Sequence, residues 1–162
     1  RKDWKAPRGS LEDLHEGRGA ESRASFHGIE VTSDRVVFVI DISGSMREPL
    51  RGDEKGRTRW QAVRDELEAT LEALPNGTRV NLILFGEKPS HAFRSPTPLS
   101  RRTRGKLGAF ARKAVPGERG NLLGAMMAAF DQKETDTVFL LSDGAPSAGL
   151  MVVKDRVRGG RS

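Results

Sequence analysis

Asp41, Ser43 and Ser45 stand at i, i+2 and i+4 in Asp41-Ile42-Ser43-Gly44-Ser45. One carboxylate and two hydroxyls turned around a glycine can converge on a small divalent cation that takes oxygen ligands and keeps several waters. The five residues before them, Val36-Val37-Phe38-Val39-Ile40, are all apolar. Such a run without alternation suits a central strand covered on both faces, and the carboxyl ends of these strands are where open α/β sheets place their ligands. The competing reading is a capping turn, because Asp and Ser after a strand also accept backbone N–H bonds at a helix start. A second apolar run, Thr137-Val138-Phe139-Leu140-Leu141, leads into Ser142-Asp143-Gly144. On local grounds Asp143 reads equally as a ligand or as part of a plain turn.

Taken together, the two strand-to-acid segments resemble the metal-ion-dependent adhesion site of von Willebrand factor type A domains, the fold shared with integrin inserted domains. The resemblance covers roughly residues 33 to 158. It implies that Ser43 and Ser45 ligate a metal directly, while Asp41 and Asp143 hold it directly or through water. The implied ion is Mg2+, with Mn2+ or Ca2+ as alternatives. Mostly neutral donors leave the ion with uncompensated positive charge, so a partner protein's exposed Asp or Glu can complete its coordination. The family also supplies a threonine ligand from a Gly-Gly-Thr-Asn-like loop. Here the matching segment is Glu118-Arg119-Gly120-Asn121-Leu122, with Gly120 where the threonine is expected. Water, Asn121 or Glu118 would have to fill that position, and Arg119 beside it could attract an acidic ligand itself.

The function implied is a metal-dependent protein-binding module without enzymatic activity. One alternative is a haloacid dehalogenase-like phosphatase with Asp41 as nucleophile and Ser142 ending a later strand. That chemistry uses a second Asp two residues after the nucleophile as acid and base, and Ser43 occupies the place. The other alternative is a metal-free scaffold domain whose site has decayed, for which Gly120 is the sequence support.

Composition narrows the field. A chain of 162 residues fits one domain plus a short extension. With no cysteine there is no disulfide framework or thiol nucleophile, and no apolar run approaches the ~20 residues that span a bilayer. Arginine exceeds lysine, a bias that fits a bacterial gene with GC-rich codons. The formal charge of +6 is concentrated: Arg94, Arg101, Arg102, Arg104, Lys106, Arg112, Lys113 and Arg119 face one acid, Glu118, which gives this segment +7. Such a block is either a solvated helix face or a steering surface for an acidic partner, with Arg101, Arg102, Arg104 and Arg119 as the steering candidates. Phe93 and Phe110 alone accompany it, with no stacking platform, which disfavours nucleic acid as the partner.

The elements that must position these groups follow from periodicity. Residues 1–25 are polar and read as a linker or the tail of an upstream region, with residues 26–162 as the domain. Phe26–Val31 reads as an edge strand. Central strands are expected near 36–41, 79–85 and 137–141, with a short one at His91-Ala92-Phe93. Helices are expected over 58–74, with Trp60, Val63, Leu67, Leu71 and Leu74 inward, over 99–114, with Leu99, Leu107, Phe110 and Ala114 inward, and over 121–130, where Met126 and Met127 read as core filler. The alternation predicts a doubly wound, mostly parallel sheet flanked by helices. Leu150–Val157 could begin a helix, and the chain looks C-terminally incomplete, lacking the family's last strand and helix. Arg51-Gly52-Asp53 matches an integrin-recognised tripeptide but reads by default as a charged loop. His15, His27 and His91 have no spacing that suggests a metal pair.

Overall fold

In the computed structural model, which describes residues 23–117 and 119–142 together with the backbone of 151–154, the chain opens on a small hairpin. Strands β1 (Ser25–Phe26) and β2 (Ile29–Glu30) pair antiparallel and stay apart from the main sheet. The expected continuous edge strand is broken because His27 (φ 47°) and Gly28 (φ 78°) both take the left-handed conformation of a tight hairpin turn. Most of the expected linker lies outside the described residues, and at its end Ala24 is already buried.

The main sheet is built around β3 (Arg35–Asp41), with β4 (Arg79–Phe85) parallel on one side and β7 (Thr137–Leu141) parallel on the other. Short antiparallel strands close the edges. β5 (Pro89–His91) and β6 (Thr97–Pro98) pair with β4, and β8 (Met151–Lys154) pairs with β7. The β8 backbone is a strand where a helix was expected to start. Val152 and Val153 are β-branched, and pairing here satisfies the edge of β7 that would otherwise present open N–H and C=O groups.

Both faces of the central strands are covered, which is why their sequences do not alternate. Val36, Phe38 and Ile40 of β3, with Val80, Leu82 and Leu84 of β4, face a core completed by Phe26, by Trp60, Val63, Leu67 and Leu71 of α1 (Arg59–Ala73), and by Leu107 and Ala111 of α2 (Arg101–Lys113). Phe26 meets Phe38 and Phe139 edge-on at centroid distances of 5.0 and 6.0 Å, so the hairpin is anchored by aromatic packing. Val37, Val39, Ile83, Phe85, Val138 and Leu140 point the other way, onto Ala125 and Ala129 of α3 (Leu122–Phe130). Phe110 and Ala114 are partly buried against the first core. Met126 packs on the second, whereas Met127 is 65% exposed, because α3 is apolar around its whole circumference and only one face meets the sheet.

Local chemistry sets the helix ends. Thr58 and Gln61 form a reciprocal capping box at the start of α1, and Ser100 and Thr103 do the same for α2. Pro75-Asn76-Gly77, with Gly77 at φ 88°, stops α1. There Arg104 of α2 donates to the carbonyls of Leu71 (2.8 Å) and Leu74 (2.6 Å) and to Asn76 Oδ1, filling acceptors that the helix end leaves open. Asn81 of β4 is a fully buried polar side chain that donates to Phe93 O and Gln132 Oε1 and accepts from Phe93 N and Leu82 N.

Candidate metal centre

Asp41 is the last residue of β3 and is in register with Phe85, the last of β4, so the two strands end together. Ile42 N then bonds Phe85 O at 2.9 Å and leads the chain into a short 3-10 turn, Gly44–Arg47, anchored beneath by buried Met46. The Asp41 carboxylate is buried, and both its oxygens are held. Oδ1 accepts from Ser43 N at 2.7 Å and Oδ2 from Ser142 Oγ at 3.0 Å. Part of the capping reading is therefore present, since Asp41 closes an Asx turn. Ser43 departs from it. Ser43 sits at the N-cap of the 3-10 turn, yet its side chain caps nothing, and Ser43 Oγ and Ser45 Oγ lie 3.3 Å apart.

A third wall comes from the loop between α2 and α3. Gly117 N bonds Ile42 O and Asn121 N bonds Gly86 O, both at 2.7 Å, which ties the two ends of the loop to the ends of β3 and β4. Arg47 adds a clamp through Nε to Pro116 O at 2.9 Å. These bonds press Gly120 against the carboxylate: a Cβ there would lie 3.4 Å from Asp41 Oδ1 and 3.4 Å from Ser43 Cβ.

The donor set fits a hard divalent cation. Adjacent ligands of an octahedral Mg2+ at 2.0–2.1 Å are about 3.0 Å apart, and those of the larger Ca2+ site about 3.3 Å or more. The two serine hydroxyls, within hydrogen-bond distance of each other at 3.3 Å, stand at the Ca2+ spacing and about 0.3 Å beyond the Mg2+ one. Among the described residues no three His, Cys, Asp or Glu side chains gather at one point, and the donors brought together here are the Asp41 carboxylate and the Ser43 and Ser45 hydroxyls.

The structure brings Asp41, Ser43, Ser45 and Gly120 together. Asp143 and Glu118 lie outside the described residues. Asn121 is committed elsewhere: its Oδ1 accepts from Gly124 N at 2.9 Å as the N-cap of α3, so the amide serves the helix. Arg119 is exposed beside Gly120. Arg101, Arg102 and Arg104 are at the opposite end of the sheet, since α2 begins next to Leu99, which is bonded to Gly77 and Thr78 at the foot of β4. Six residues of strand separate that foot from Asp41, about 20 Å at ~3.3 Å per residue. These three arginines do not flank the site as expected. Two contributors have no ligand role in the sequence reading: Ser142, which orients Asp41 and whose place after β7 could have signalled it, and Arg47, for which no sequence signal exists.

The remaining sequence candidates have structural roles. Asp53 of the Arg-Gly-Asp tripeptide receives bonds from Arg57 N, Nε and Nη2, and these hold its carboxyl down at about 2. Its acid is thus turned inward to Arg57. His27 lies in the hairpin turn, and His91 Nδ1 meets Gln132 Nε2 at 3.3 Å. His15 lies outside the described residues.

The von Willebrand factor type A domain family model matches residues 36–145. The rat von Willebrand factor A domain-containing protein 5A is 35% identical over 68 residues, which are 40% of this chain and 8% of that protein. Two solved structures share the fold: a von Willebrand factor type A protein from Catenulispora acidiphila (TM-score 0.53, 15% identity, 68% of this chain and 26% of that one) and proximal thread matrix protein 1 from the mussel byssus (TM-score 0.51, 14% identity, 71% and 31%). The chain therefore spans less than a third of each of these relatives. With the family model covering most of the chain and a parallel sheet that ends in an Asp-x-Ser-x-Ser turn, this chain belongs to the von Willebrand factor type A domain family.

Proposed function

We propose that this domain binds a divalent cation, Mg2+ with Mn2+ or Ca2+ as alternatives, at Asp41, Ser43 and Ser45 and uses it to hold an acidic side chain of a partner protein. Domains of this family are typically protein-interaction modules. The observation that carries the metal reading is the pair of serine hydroxyls 3.3 Å apart, with Ser43 free of any capping bond, beside a carboxylate held by two hydrogen bonds. A cation bound mainly by hydroxyls and water retains charge that a partner carboxylate neutralises. Asp143, by family resemblance, adds a second carboxylate to the shell. Water takes the position where the family has threonine. Arg119, exposed next to Gly120, favours an anionic ligand on that side.

Calorimetric titration of the chain with Mg2+ and Mn2+ tests the reading. Binding is expected in the wild type and absent in Asp41→Ala, with Ser43→Ala weakened. Equal titrations of wild type and Asp41→Ala would return the site to a capping turn. Partner capture should be lost to chelator and restored by added cation.

A further inference from the structure

Gly120 is not required by its backbone. Its φ lies outside the left-handed range that favours glycine, unlike Gly28, Gly52, Gly56 and Gly77. Nor is it required by space, because a Cβ would meet Asp41 Oδ1 and Ser43 Cβ at 3.4 Å and Asp41 Oδ2 at 3.7 Å, which are ordinary contacts. The residue is exposed, and its loop is fixed on either side by the Gly117 and Asn121 amides, so the loop cannot simply collapse onto Asp41. Asn121 cannot supply the missing donor while it caps α3. Among the described residues, therefore, no side chain of this loop offers an oxygen to the place beside the Asp41 carboxylate and Ser43.

From the glycine at this position we infer that the site selects a chelating pair of acidic oxygens, presented by two neighbouring Asp or Glu residues of the partner, over a single carboxylate. This rests on the proposed cation site. Water on a divalent cation exchanges for ligand oxygens, and a second oxygen tethered to the first binds at high effective concentration. A domain with a protein hydroxyl at position 120 has one fewer exchangeable position and gains less from the second oxygen. Arg119 adds attraction for a doubly charged ligand at the same edge.

The probe is Mn2+, with water-proton relaxation of the full chain reporting exchangeable inner-sphere water and with malonate and acetate as competing ligands. Gly120→Thr and the smaller Gly120→Ser are compared with wild type, so that the test survives if the bulkier variant misfolds. The expected result is more exchangeable water on wild-type Mn2+ than on either variant. The preference for malonate over acetate should also be about tenfold greater in wild type. Bound Mn2+ with the same water content and selectivity in wild type and both variants would overturn the chelation inference and leave the cation site standing. No relaxation enhancement in wild type would overturn both.

Discussion

Asp53 illustrates how one carboxylate is committed by its neighbours. Arg57 donates three bonds to it, and the same guanidinium reaches Asp65 at 2.9 Å, so the charged loop between Pro49 and Thr58 closes on an ion-pair network. The Asp53 carboxyl is depressed to about 2, so its contribution to folding is present above the unfolded value near 3.8 and is lost as pH falls toward 2. Carboxyl NMR titration should place Asp53 near 2, and the melting difference between wild type and Asp53→Asn should shrink across that window. His27 behaves differently. Burial lowers its imidazole below the ordinary 6.5, with Glu66 opposing the shift. Below that pH the unfolded chain gains a proton that the folded chain resists, so folding weakens as the solution is acidified. Asparagine tolerates the left-handed turn, so His27→Asn should keep the hairpin and flatten the melting-temperature slope between about pH 7 and 5.5. The Asp41–Ser45 turn was legible because Asp-x-Ser-x-Ser is a local pattern. Arg47 and the N-cap role of Asn121 were not, since each depends on a partner that the fold alone brings near.

Among elements, α2 is where charge and position part ways. Its arginines read from the sequence as one basic face, yet Arg104 terminates α1 by bonding Leu71 O, Leu74 O and Asn76. Arg104→Ala should destabilise the domain by about 1–3 kcal/mol, measured by urea unfolding, with Arg104→Lys recovering only part because it cannot span several acceptors with a fixed fork. The three central strands were visible as unbroken apolar runs. The placement of α2 was not, because the antiparallel strand Pro89–His91 carries the chain back down before the helix begins. A helix following β4 directly would have started at the level of the site. Short edge strands such as β5 and β6 carry little apolar pattern, and pairing with an existing edge decides them more than propensity does.

For the molecule as a whole, the separation of about 20 Å between the head of α2 and Asp41 exceeds two screening lengths at physiological ionic strength, about 8 Å each. Reversing Arg101 and Arg102 to Glu should therefore leave partner capture at ~0.15 M salt within about twofold of wild type, whereas Arg119→Glu should slow association, as read by surface plasmon resonance. Arg104 is unsuited to such a test because its loss acts on stability.

The central strand that carries Asp41 also has a mechanical consequence. A partner pulling on the 41–45 turn applies force along β3, which is laced in parallel to β4 from Arg35 to Asp41 and to β7 from Val36 to Ile40. The bonds of both ladders must then slip together, whereas strands drawn apart from one end break their bonds in succession. The chain has no cysteine of its own, so paired handles can be introduced cleanly. Gly44→Cys with Asn76→Cys would shear β3 against β4, and Gly44→Cys with Glu87→Cys would peel them from the site end. Single-molecule stretching should find the sheared pair rupturing at the higher force. Equal forces would mean that the ladders do not share tension, and that a domain of this build yields as readily to a tethered partner as to lateral strain.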